Sequence, residues 1–478
     1  MKTIKIDAKK PQQSIDGWGT SLCWWANAAG GWTMKGGSGK EKREELMQLF
    51  FSEEGLDLNI VRYNIGGGDN PDEKQHMFHY RGIPCFRAIP DGEFDRNADW
   101  RQVWTLKRAH EIRKGDLITE VFVNSPPWWM TKSLCSSGNL QACEENLDES
   151  RYEEFAGYCA EVIEYLQHAS GIRADYFVPM NEAASDFWAK GRRQEGNKVN
   201  PGESQSRLLA AAYEKLGQRK LDTAITGTDE TNPAVALKSY HLLSDEVKDK
   251  ILKKINYHHY ETDEEALKKL RQIVYENGFD RPKHKLWMDE VCYGDGNDDI
   301  ELAKRLITAI DRDLNLAHAN AWLIWQAMDT MSENIINQCH WGLVEGMYQD
   351  KNDNELEGVL DIGSMGFEPG DYVITTQYYV MGHYSKHILR GYAILENDGR
   401  EFFCVSAISP DQNTMVVVLY NDEDQNQTVL LDLDGFAPLK AAKIVSSNEK
   451  KWDAADLTES FTTVHLEPKS ITTLKYMK

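Results

Sequence analysis

Two stretches of the chain end an apolar run in carboxylates. In Lys285-Leu-Trp-Met-Asp-Glu-Val-Cys-Tyr-Gly294 the run stops at Asp289 and Glu290, just before a Gly-Asp-Gly turn, and in Tyr176-Phe-Val-Pro-Met-Asn-Glu-Ala183 it stops at Asn181 and Glu182. A buried strand that finishes in a carboxylate holds that group rigidly at the mouth of a barrel. Two such glutamates, with aromatic residues nearby, are the minimum set for cleaving a glycosidic bond, since one carboxyl can protonate the leaving oxygen while the other serves as nucleophile or base. Taken singly, Asn181-Glu182 reads more plainly as a helix start and Asp289-Glu290 as solvated loop acids. Only the pair, set on strands of one barrel, carries the chemistry.

The intervening pattern supplies such a barrel. A strand at Leu56–Asn64, a helical stripe at Trp100–Lys114 and a strand at Ile118–Asn124 precede a helix at Tyr152–His168 and the Glu182 strand. Helices near Ser204–Gln218, Ala234–Leu243, Glu264–Asn277 and Asp299–Leu314 then alternate with strands at Thr223–Thr228, Lys254–Tyr260, the Glu290 run and Ala319–Trp325. Strand and helix repeated over about 270 residues predict an α/β fold with parallel strands and crossover helices, most economically a closed (β/α)8 TIM barrel. After one more helix at Thr375–His387 the pattern changes to six short strands between Phe402 and Tyr476, which predict a β-sandwich side domain. Residues 2 to 7 alternate like a strand that joins it. The expected organisation is residues 1–15 in the sandwich, 16–388 in the catalytic barrel and 389–478 in the sandwich domain.

Bulk properties narrow the partners. A formal net charge of -22, from 54 basic and 76 acidic residues, repels phosphate backbones and anionic membranes. The mean hydropathy of -0.57 and the lack of a long apolar run argue against a membrane span. The first ten residues have no secretion-signal core, which points to the cytoplasm; a secreted chain whose signal had been removed would read the same. Eight scattered cysteines without a Cys-x-x-Cys pair read as reduced thiols, a Cys135–Cys143 disulfide being the one local pairing to consider. No cofactor is expected, and nothing bears on oligomeric state.

Aromatic residues gather near the expected mouth. Trp18, Trp24 and Trp25 make either a packed corner or a sugar platform, because a pyranose has an apolar face that stacks on indole. In Ser125-Pro-Pro-Trp-Trp-Met130 the prolines stop a strand and offer Trp128 and Trp129 to a cleft. Gly66-Gly-Gly68 lacks the spacing and following helix of a phosphate cradle and reads as a tight strand-end loop. Asp295–Asp299 has only the composition of a calcium loop. His258 and His259 are adjacent on a strand, so they point to opposite faces and cannot easily share a metal.

Six co-linear motifs carry a family resemblance: Gly-Trp-Gly-Thr-Ser (17–21), Val-Arg-Tyr-Asn-Ile-Gly-Gly-Gly-Asp (61–69), Asn-Ser-Pro-Pro-Trp-Trp-Met (124–130), Pro-Met-Asn-Glu (179–182), Asp-Glu (289–290) and Pro-Lys-Ser-Ile-Thr-Thr-Leu (468–474). Together they resemble glycoside hydrolase family 30. That resemblance implies a barrel with a sandwich built from both termini, and retaining hydrolysis of β-linked sugars. Glu182 would be the acid/base and Glu290 the nucleophile, with Arg62 lowering the Glu290 pKa and Asn181 bonding the sugar 2-hydroxyl. Asp69, Trp128, His258, Tyr260 and Trp325 would contact the substrate. The rim Ser-Leu-Cys-Trp-Trp-Ala-Asn (21–27) is most similar to the branch acting on β-1,6-linked galactan. Glucosylceramidase-like, β-1,6-glucanase and xylanase specificities stand as alternatives, and a non-catalytic carbohydrate-binding barrel as another class. Substrate would be an oligosaccharide or polysaccharide.

Overall fold

In the computed structural model, which describes residues 1–32, 39–72, 77, 80–279, 281–331, 338–347, 370–457 and 460–478, eight parallel strands close into a barrel. They are β2 (Gly17–Ser21), β3 (Ile60–Asn64), β4 (Ile118–Phe122), β5 (Tyr176–Val178), β6 (Ala224–Glu230), β7 (Lys254–His258), β8 (Lys285–Glu290) and β9 (Ala321–Ile324), following β1 (Lys2–Ser14). Pairing runs in sequence order, and β9 closes on β2 with Gly17 opposite Ala321. The strands are almost wholly buried because helices cover the barrel outside and side chains fill it inside.

The barrel interior departs from the usual aliphatic filling. Arg62 on β3, Glu120 on β4, Asp229 on β6, Lys254 and Asn256 on β7 and Asp289 on β8 are each fully buried. The charges of Arg62, Glu120, Asp229 and Lys254 survive there because each has a partner of opposite sign. The ionic core leads upward to the two glutamates.

Two β-bulges aim these groups. Between β6 and β7 the register shifts at Asp229, and between β7 and β8 it shifts so that Tyr257 faces Met288 while His258 faces Glu290. A bulge breaks the strict alternation of side chains, and so the consecutive Asp289 and Glu290 both turn inward to Arg62.

Three short strands, β10 (Met328–Thr330), β11 (Val344–Gly346) and β12 (Tyr372–Ile374), form a small separate sheet, and the others make one curled nine-stranded sheet. Its members in chain order are β13 (Ala393–Asn397), β14 (Val405–Ile408), β15 (Thr414–Asn421), β16 (Gln427–Asp434), β17 (Lys440–Ser446), β18 (Asp453–Asp456), β19 (Thr463–Leu466) and β20 (Ser470–Met477), joined by β1. The N-terminal strand lies between β13, to which it is antiparallel, and β16, to which it is parallel. On β15 the faces divide cleanly: Met415, Val417 and Leu419 pack into the sheet's own core with Ile4, Ile6 and Leu431, whereas Val416, Val418 and Tyr420 belong to the barrel core. Period-two alternation thus welds the sheet to the barrel.

Some elements escaped the sequence pattern. Helix Gly39–Phe51 is polar over most of its length and anchors through Leu46, Met47, Phe50 and Phe51. Strand β18 is wholly exposed, so it shows no apolar alternation. Strand β1 continues past residue 7 to Ser14, bulging on both sides of Pro11, which cannot donate to the ladder. All eight cysteines are free, with Cys135 buried and Cys143 exposed, so the considered disulfide is not formed. Asp298 and Asp299 are spent on backbone groups, Asp299 capping helix Ile300–Arg312. No described helix is long and apolar enough to cross a membrane.

Candidate active site

Arg62 is the hub. Its Nε donates to Glu120 at 3.1 Å, its Nη2 to both Asp229 oxygens at 3.0 and 3.1 Å, and its Nη1 to Glu290 Oε2 at 3.0 Å. Lys254 pairs with the far oxygen of Glu120, and Asn256 bridges Glu120 and Asp229. The second Glu290 oxygen accepts from the Tyr260 hydroxyl at 3.0 Å.

Glu182 stands across from Glu290, four residues beyond the end of β5. Its backbone lies in the left-handed region at φ 47°, an uncommon setting for a side chain of this size, with its N–H donating to the Asp229 carbonyl at 2.7 Å. His258 sits between the two acids, with Nδ1 3.0 Å from Glu182 Oε1 and 3.5 Å from Glu290 Oε1. An oxygen of Glu182 and one of Glu290 lie within 4.8 Å of each other. That spacing suits direct attack by one carboxyl, because an interposed water needs roughly 6.5–9.5 Å between carboxyl groups.

The electrostatics follow from burial and pairing. Burial pushes the Glu290 carboxyl up to about 7; His258 and Arg62 pull it down and the charge of Glu182 pushes it further up. Arg62 lowers the Glu290 pKa in the expected direction, but removing the carboxylate from water outweighs one guanidinium already divided among several acids, so the net shift is upward. Burial would lower His258, yet Glu290, Asp229 and Glu182 hold its pKa well above the ordinary histidine value. Burial would raise Asp229, but Arg62 and His258 bring it below the usual carboxylate range. Asp289, buried beside Asp229, is pushed well above it.

Glu182, His258 and Glu290 are close enough for a shared cation, as are Asp229, His258 and Asp289. A protonated imidazole offers no lone pair, and Arg62 already supplies positive charge 3.0 Å from Glu290. The donor set therefore fits proton transfer better than metal binding.

A cavity of about 640 Å³ opens above the pair. Asn181, Tyr260 and Trp325 line it together with Trp24, Arg81 and Trp188. Asn181 Oδ1 and Trp24 Nε1 are buried without a hydrogen-bond partner among the described residues, an acceptor and a donor suited to hydroxyls. Trp24 and Trp325 meet edge to face, centroids 5.3 Å apart at 88°.

The comparisons with known proteins accord with this geometry. O-Glycosyl hydrolase family 30 matches residues 1–231. Over those residues the chain is similar to family 30, and the closed barrel with its acidic pair makes it a glycoside hydrolase. An endo-beta-1,6-galactanase of Hypocrea rufa is 26% identical to the hydrolase over 464 residues, covering 90% of this chain and 83% of that one. An exo-beta-1,6-galactobiohydrolase of Bifidobacterium longum subsp. longum is 25% identical over 546 residues, covering 89% of this chain, which spans 35% of that longer protein. In three dimensions the hydrolase is similar to a conserved exported protein from Bacteroides fragilis, with a TM-score of 0.79 at 21% identity over 99% of this chain and 100% of that one. The catalytic domain of a GH30 xylanase C from Talaromyces cellulolyticus gives 0.72 at 17% identity over the full length of both. At these identities the solved structures speak for the fold alone.

Of the expected site residues, the hydrolase brings together Glu182, Glu290, Arg62, Asn181, His258, Tyr260 and Trp325. Asp69 is exposed and Trp128 buried, and neither lines the cavity. A short 3-10 turn folds Trp128 and Trp129 down, their indole N–H groups donating to Ala88 and Arg87 carbonyls at 2.9 Å each. Of the early tryptophans only Trp24 reaches the cavity; Trp18 and Trp25 are core. His259 turns away to Asp313 at 2.7 Å, as strand alternation requires.

Several contributors were not found from sequence. Asp229-Glu230 is a third acidic pair at a strand end, but it follows Thr226-Gly-Thr228 and not an apolar run. Glu120 could have been flagged as a lone acid in an apolar strand. Phe187 and Trp188 lie in a loop without a pattern, and only folding brings them to the cavity.

Proposed function

We propose that the hydrolase cleaves β-linked glycosides with retention by double displacement. Glu290 attacks the anomeric carbon while Glu182 protonates the departing oxygen; water, deprotonated by Glu182, then cleaves the glycosyl ester and releases Glu290 as carboxylate. The observation that carries this is the 4.8 Å bound on the Glu182–Glu290 oxygens, with Arg62 and Tyr260 both donating to Glu290. Arg62 and Tyr260 stabilise Glu290 as nucleophile and leaving group. Asn181 Oδ1, in the cavity wall and without a partner among the described residues, supports a bond from the sugar 2-hydroxyl.

The substrate we infer is β-1,6-linked galactan or its oligosaccharides. The two curated relatives, which match nearly the whole chain and act on β-1,6-galactosidic material by name, support that choice. Product analysis by mass and anomeric configuration, after incubation with β-1,6-galacto-oligosaccharides of graded length beside glucose- and xylose-based counterparts, tests it. Release of β-configured galactose or galactobiose is expected, and product length separates exo from endo cleavage. Cleavage confined to another β-glycoside would move the specificity; α-configured products would overturn retention. Binding of sugars without turnover would point to a carbohydrate-binding barrel.

A further inference from the structure

Phe187 and Trp188, in the loop that follows Glu182, stand together in the cavity wall with ring centroids 4.5 Å apart. Phe187 is 44% exposed, presenting a bare phenyl face to the cavity, whereas Trp188 is buried beside it. The Trp188 indole N–H donates to the Glu182 carbonyl at 3.1 Å, which ties the aromatic pair to the backbone of the proton donor itself.

The same loop is clasped to the loop that follows β3, two strands away in the barrel. Gly196 lies flat on Trp188, where a Cβ would stand 1.9 Å from the indole. Its neighbour Glu195 is buried at 1% exposure and accepts from the Gly67 N–H at 2.9 Å and from Asn64 Nδ2 at 3.0 Å. Gly67 has no room for a side chain, since a Cβ would sit 2.6 Å from the Pro126 carbonyl. Asn64 Oδ1 accepts from the backbone of Asn124, which also lines the cavity. The glycine triplet is thus the place where the loop after β3 receives the Glu195 carboxyl.

We propose that Phe187, backed by Trp188, forms the stacking platform for the departing sugar of a β-linked saccharide, and that the Glu195–Gly67–Asn64 clasp positions it. This rests on Glu182 as acid/base: a proton delivered to the leaving oxygen puts the departing sugar alongside Glu182, hence over the Phe187 ring. An apolar ring face is the chemistry that a pyranose face recognises. Glu195 touches no substrate and acts as a positioning residue.

The test compares two substrates sharing the glycone that the enzyme cleaves best, β-galactose being the first choice: an oligosaccharide, and the glycosyl fluoride, whose leaving group cannot reach the platform. For Phe187→Ala the KM of the oligosaccharide is expected to rise about tenfold, with kcat/KM on the fluoride within about twofold of wild type. Glu195→Gln, which keeps the shape and one acceptor, is expected to show the same selective rise at about threefold, with its melting temperature measured alongside. Equal losses on both substrates, or an unchanged oligosaccharide KM in Phe187→Ala, would overturn the platform. The fluoride also isolates the mechanism: wild-type turnover that disappears in Glu290→Gln supports the nucleophile, and no turnover of it would remove both assignments.

Discussion

Arg62 faces three carboxylates at hydrogen-bond distance with no exposure to water, so its removal leaves buried negative charge uncompensated. Arg62→Met is expected to lower stability by roughly 3–5 kcal/mol, measurable by denaturant titration. Tyr260 acts more locally. Because its hydroxyl donates to Glu290, Tyr260→Phe removes a group that favours the ionised carboxylate. The acid limb of kcat/KM for the wild type is expected near pH 7, where Glu290 gains its proton as the pH falls, and Tyr260→Phe should move that limb upward. A downward or absent shift would contradict nucleophilic use of Glu290. Glu182→Gln should cost roughly 10²–10⁴-fold on a sugar leaving group and far less on the fluoride, which needs little protonation to depart.

At the scale of elements, the site depends on two bulges and on close loop contacts. The Gly67 backbone runs within van der Waals reach of Pro126 and Ser136, so Gly67→Ala must displace either the loop or its neighbours. It is expected to destabilise the protein and reproduce the selective oligosaccharide defect of Glu195→Gln. A variant that lost stability but kept the wild-type ratio of oligosaccharide to fluoride activity would separate the clasp from the platform. Much of this level was legible beforehand. Strand β8 and its Glu290 terminus, the crossover helices and the tight glycine loop follow from runs of apolar residues and from breakers. The downturn of Trp128 and Trp129 was not, because prolines say where a strand stops but not which carbonyls the next two indoles will find.

Across the whole molecule, an unusual number of buried carboxyls are raised by burial: Asp99 to about 7, Glu195 to about 8, Glu230 to about 7 and Asp311 to about 6. Each keeps its proton in the folded protein at pH values where the unfolded chain has released it, so the folded state binds more protons and loses stability as pH rises through that window. His258, raised above its ordinary value, acts with the same sign, while Asp229, depressed, withdraws its contribution only in stronger acid. His284, His318, His383 and His387, lowered by burial, act with the opposite sign below about pH 6.5, so the melting temperature is expected to fall from there toward pH 8, with Glu230→Gln flattening the decline. A melting temperature that rose over that interval would contradict these assignments. The N-terminal strand works at the same scale. A chain beginning at residue 15 would leave β13 and β16 without their shared neighbour, and a large drop in melting temperature is expected.

By itself the amino-acid sequence determined the strand-and-helix alternation, the change to short strands after the last helix, and the two glutamates at strand ends. These are local signals: periodicity, chain breakers and a polar residue closing an apolar run survive without any knowledge of neighbours. Tertiary structure alone decided which groups share a charge. Arg62, Glu120, Asp229 and Lys254 lie far apart in the chain and meet only because parallel strands bring successive βα units around one axis. The sign of the Glu290 shift was settled there too, since desolvation depends on everything that excludes water, whereas a motif reports only a few nearby charges.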